Sequence, residues 1–87
     1  MNIKLFAIFD SKVEAYMQPF FSSTEGSAIR SFADVVNDGK SQIWSHPEDY
    51  TLFMIGSFDD RSGKIEPLST PKSLGVAVEY VKDEHSL

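Results

Sequence analysis

The sequence predicts an α+β domain, a four-stranded, mainly antiparallel sheet with two helices in the order β-β-α-β-β-α. Three observations predict it. Residues 3–9 are apolar but for Lys4, and a second short run over 50–58 is rich in apolar and aromatic residues, as strands are. Residues 25–37 carry one apolar stripe at helical spacing. Turn-forming residues at Asp10-Ser11-Lys12 and Asp59-Asp60-Arg61-Ser62-Gly63 set strands close enough in sequence to form hairpins.

In the first segment, Ile3, Leu5, Ala7 and Phe9 share one face, and Lys4, Phe6 and Ile8 share the other. With both faces largely apolar, a central strand over 2–9 is expected. After the turn at 10–12, residues 13–17 read as its antiparallel partner, ended by Pro19, which has no N–H to give a ladder. The helix over 25–37 is capped by Ser22 or Thr24, carries Glu25 at its positive end, and stops near Gly39. Its stripe is Ala28, Ile29, Phe32, Ala33 and Val36.

Residues 40–49 read as a loop with a turn at His46-Pro47-Glu48-Asp49. A third strand follows over 50–58, with a bulge expected near Gly56. A fourth strand over 64–68 is short or at an edge because of Pro67. Thr70 as cap and Pro71 at the first helical position predict a second helix over 71–82, with Leu74, Ala77, Val78 and Val81 as its stripe. Residues 82–87 read as a polar tail.

At 87 residues the chain has room for one domain, 1–87. Its 41% hydrophobic content, with eleven aromatic residues, is enough to build a core. The absence of cysteine excludes a disulfide scaffold and a thiolate metal site, and fits a reducing cytosol. No run of about 18 apolar residues spans a bilayer, and the N-terminus lacks the pattern of a signal peptide. The net charge is −5. Phosphate neutralisation dominates most nucleic-acid affinity. A nucleic-acid site on this chain must therefore be a local patch on an acidic body, or the partner is a protein.

Nothing in the sequence points to an enzyme or to a cofactor. Adjacent Asp59 and Asp60 fit a hairpin turn better than an acid–base pair. His46 and His85 are the two histidines, and their joint ligation of a metal is not expected. Phosphate-loop and dinucleotide glycine patterns are absent.

Single-stranded nucleic acid is held by aromatic stacking beside basic groups. Lys4 and Phe6 alternate with Leu5 on the first strand and could share an open face, joined by Tyr16 from the next strand and Lys12 from the turn between them. Arg30 and Lys40 are further candidate cations. Trp44, in a polar loop, is the best exposed candidate stacker. Phe9, Phe32 and Phe53 read as core, and Phe20 and Phe21 as packing beneath the start of the helix.

Several stretches carry a likeness to one family. They are Lys4-Leu5-Phe6-Ala7-Ile8-Phe9-Asp10-Ser11-Lys12, Pro19-Phe20-Phe21, Ala28-Ile29-Arg30-Ser31-Phe32, Val36-Asn37-Asp38, His46-Pro47-Glu48-Asp49-Tyr50 and Leu52-Phe53-Met54-Ile55-Gly56-Ser57-Phe58-Asp59-Asp60. In combination, over residues 2–68, they resemble the nonstructural protein of gokushoviruses, single-stranded DNA phages of the Microviridae. The resemblance implies a single-stranded DNA-binding protein of the host bacterial cytoplasm, acting in genome replication or in the switch to single-strand synthesis and packaging. The alternative is a protein-interaction module that redirects the phage initiator or host replication proteins. A homodimer through a free sheet edge would suit either role.

Overall fold

The computed structural model describes residues 2–82. Its elements run β1 (Asn2–Asp10), β2 (Ala15–Tyr16), β3 (Phe20–Ser22), α1 (Glu25–Val36), α2 (Gln42–Ser45), β4 (Tyr50–Asp59) and β5 (Ile65–Val76), with 3-10 turns at Pro47–Asp49 and Ala77–Tyr80. The fold is mixed α+β with an antiparallel sheet and two helices. The sheet has five strands rather than four, and the two helices follow one another in the middle of the chain.

The order across the sheet is β2-β1-β4-β5. β3 also pairs with β1 and occupies the same edge of it as β2, because β4 holds the other edge along its length. The single strand expected over 13–17 is thus replaced by two short ones, interrupted at Met17-Gln18-Pro19. The Met17 N–H still donates to the Ile8 carbonyl at 2.7 Å, and Pro19 then removes the next chance of a ladder bond.

The second expected helix, over 71–82, is not formed. Residues 71–76 continue β5, and the helical part shrinks to Ala77–Tyr80. Pro71 suits the start of a helix, but an edge strand tolerates it equally. Here the β4 partners step from Met54↔Lys72 to Gly56↔Pro67, so residues 68–71 of β5 lie opposite Ile55 alone and make no regular ladder. Of the expected stripe, Ala77 is buried and Leu74 packs on the core, whereas Val78 and Val81 are exposed. Irregularity near Gly56 is present: β1 and β4 shift register between Leu5 and Phe6, leaving Ile55 as an extra residue.

α1 forms as its stripe requires. The Thr24 hydroxyl accepts from the Ser27 N–H at 3.0 Å as N-cap, and Ala28, Phe32 and Val36 are buried. Asn37, not Gly39, closes the helix. Its Nδ2 donates to the Ala33 carbonyl at 2.7 Å and to the Tyr80 carbonyl at 3.0 Å, while its Oδ1 accepts from the Lys82 N–H at 2.8 Å. One side chain therefore ties the end of α1 to the segment that follows the sheet.

The core lies between α1 and one face of the sheet. Phe6, Leu52 and Tyr50 rise from β1 and β4 to meet Ala28, Phe32 and Val36, with Ile43 of α2 and Ala77 closing the end. The loop expected over 40–49 contains α2, whose N-cap Ser41 accepts from the Trp44 N–H at 3.0 Å and so turns Ile43 inward.

Candidate functional site: an open aromatic sheet face

Side chains alternate across a strand, so strand register assigns each residue to a face. Phe6 and Ile8 of β1 pair with Met54 and Leu52 of β4, and this face carries the core. The opposite face receives Ile3, Leu5, Ala7 and Phe9 from β1, and among the described residues no helix covers it. Across from them stand Tyr16 beside Phe9, Phe21 beside Leu5, Phe53 beside Ala7 and Phe58 beside Ile3.

The rings on this open face form two groups. Phe9, Tyr16 and Phe53 make a triad with edge-on contacts, at centroid separations of 5.0 Å for Phe9–Tyr16, 5.7 Å for Tyr16–Phe53 and 6.5 Å for Phe9–Phe53. Phe21 and Phe58 form a tilted pair at 5.5 Å. Together the rings cover Ala7, which is fully buried without belonging to the core on the other side. Tyr16 is 45% and Phe21 55% exposed, and Ile65, opposite Phe58, is 57% exposed. A contiguous apolar face of this kind is a candidate interaction surface rather than scattered exposure.

Among the described residues, no lysine or arginine lies among these rings. Lys4 pairs with Ser22 and Ser57, positions that alternate onto the helix side. Lys72 is also on that side, where it meets Glu25 at 2.7 Å. Lys12 sits in the turn at the Phe9–Tyr16 end of the face, and Arg61 and Lys64 sit in the hairpin at the Phe58 end. Asp59 organises that hairpin: its carboxylate accepts from the Arg61 N–H and the Ser62 hydroxyl, both at 3.0 Å, and these bonds hold its pKa below the usual carboxylate value.

The residues singled out by sequence are therefore dispersed. Tyr16 is on the open face, with Lys12 at its end. Phe6 is fully buried under α1, stacked on Phe20 at 5.7 Å, and has no surface to offer a base. Arg30 is exposed on α1, Lys40 is exposed in the α1–α2 connection, and Trp44 is exposed on α2. Sequence reasoning placed Phe9 and Phe53 in the core and Phe21 beneath the helix; all three stand on the open face. The alternation Ile3-Leu5-Ala7-Phe9 was the available signal, because a second apolar face on β1 needs either a cover or a partner.

Two other features fall on the helix side. Ile8, Phe20, Ser31, Phe32 and Val35 line an apolar cleft of about 200 Å³ between α1 and the β2–β3 edge. His46, Glu48 and Asp49 bring their ligand atoms within 4.8 Å of one another in one surface turn. His85 lies outside the described residues. Among the described residues no helix is long and apolar enough to cross a membrane.

Fold and site together define a small α+β protein with one sheet face packed by helices and the other left open and aromatic. The chain belongs to the Phage ORF5 protein family, whose model matches residues 3–80. No curated protein and no solved structure matches it.

Proposed function

We propose that this phage protein binds single-stranded DNA on its open sheet face and acts, without enzymatic activity, in genome replication or in the switch to single-strand synthesis and packaging in the host bacterial cytoplasm. The observation that carries this reading is the pair of ring groups on an uncovered face, Phe9–Tyr16–Phe53 and Phe21–Phe58. Aromatic side chains on an open sheet are a recurrent platform for unstacked bases. A duplex keeps its bases stacked inside and cannot use such a platform. The resemblance to the gokushovirus nonstructural protein supports the same substrate.

Fluorescence anisotropy of a labelled single-stranded oligonucleotide, with duplex as competitor, tests this. Binding in the micromolar range or tighter that duplex fails to displace is expected. No binding at tens of micromolar in low salt overturns it.

The placement of charge favours a second reading. With a net charge of −5 and, among the described residues, no lysine or arginine among the open-face rings, the face also suits a protein partner. It would then redirect the phage initiator or a host replication protein, and the oligonucleotide titration would be flat.

A further inference from the structure

Resting on the reading of the open face as a single-strand site, we propose that this site takes unpaired RNA as readily as unpaired DNA, and holds either by its bases rather than its phosphates. A protein separates RNA from DNA by hydrogen-bonding the ribose 2′-hydroxyl. It reads sequence by bonding base edges. Both need polar groups in fixed positions. On the open face the rings of Phe9, Phe21, Phe53 and Phe58 and the aliphatic Ile3 and Leu5 supply none. The polar groups that register places there are the hydroxyls of Tyr16, Thr51 and Ser73, all toward one end. They are too few to interrogate each sugar of a bound strand.

Phosphate contacts are limited in the same way. Lys4 and Lys72 are committed to the helix side, and Lys72 is engaged by Glu25. Lys12, Arg61 and Lys64 stand at the two ends of the face, about 3 contacts at most, so log K should fall with log salt at a slope of about −2 or shallower. Every base has a π-face, whichever sugar carries it, so stacking on these rings tolerates both sequence and sugar.

The test uses the full chain and four labelled strands of equal length: oligo-dT, oligo-rU, an abasic deoxyribose-phosphate strand and a duplex. Expected are equal affinities for oligo-dT and oligo-rU within about 3-fold, and at least about 10-fold weaker binding of the abasic strand and the duplex. Tyr16→Ala and Phe21→Ala, at exposed positions, should weaken both sugars in parallel. Binding of oligo-dT with oligo-rU weaker by 10-fold or more overturns this inference and leaves the single-strand reading standing. An abasic strand that binds as tightly as oligo-dT overturns the role of the bases. No binding of any strand overturns both readings.

Discussion

Asn37 and Tyr80, 43 positions apart in the chain, are joined by a 3.0 Å hydrogen bond from the Asn37 side chain to the Tyr80 carbonyl. The same amide closes α1 on Ala33 and receives the Lys82 N–H, so three backbone groups depend on it. An intramolecular hydrogen bond contributes about 1 kcal/mol net. Asn37→Ala should therefore lower unfolding free energy by about 2 kcal/mol in urea titration. Asn37→Asp, which keeps the acceptor for Lys82 and loses both donated bonds, should retain part of that.

Phe6 and Phe21 provide a paired contrast. Phe6→Ala empties a fully buried position and should cost about 3–5 kcal/mol of stability. Phe21→Ala, at a 55% exposed position, should cost less than about 1 kcal/mol. Its effect should fall on binding instead, at about 1–3 kcal/mol if a base stacks there. Circular dichroism melting and oligonucleotide titration of the two variants separate core from site.

Gly75 sits at φ +123°, and a Cβ there would stand 3.0 Å from the Tyr80 ring. That ring crosses the glycine to let its hydroxyl donate to the Leu74 carbonyl at 2.5 Å. Gly75→Ala should cost about 1–3 kcal/mol through backbone strain and displacement of the ring. Hydrogen exchange should then show earlier opening at the end of β5 than elsewhere in the sheet.

Stability should depend on pH at both extremes, for opposite reasons. Asp59 has a folded pKa below its ordinary value, so the unfolded chain binds its proton more readily. Its stabilisation is complete above the ordinary carboxylate range and is lost as pH falls through the folded value. Asp59→Asn should flatten that acid limb. Tyr50 has a raised pKa because burial, then the neighbouring Asp10 and Asp49 carboxylates, oppose the phenolate. Its contribution is complete below the ordinary tyrosine pKa and is lost as pH rises through the folded value. Tyr50→Phe should remove the alkaline loss, read by denaturant midpoints from pH 9 upward.

Elements governed by local chemistry were legible in the sequence. Thr24 and the stripe from Ala28 to Val36 determine α1 within one residue of its expected end, and the turn residues at 59–63 place the β4–β5 hairpin. The second half of β5 was not legible, because Thr70-Pro71 carries the same signal for a helix start as for a disrupted edge strand. That choice is made by Met54 and Lys72 pairing across the sheet, a contact between distant segments. The site followed from the same point. Phe9 and Phe53 have the spacing of core residues, but strand register sets them on the face opposite α1, where they are half-buried among the other rings.

The irregular outer strand has a consequence for how copies of this protein can meet. A flat, regular border would recruit the same border of a neighbour and grow into fibrils as copies accumulate. Along β5, Pro67 and Pro71 offer no N–H to an arriving strand, and residues 68–71 break the straight run a template needs. Growth of a polymer through the β5 border is thereby disfavoured, and the exposed rings of the sheet lie on its broad plane instead.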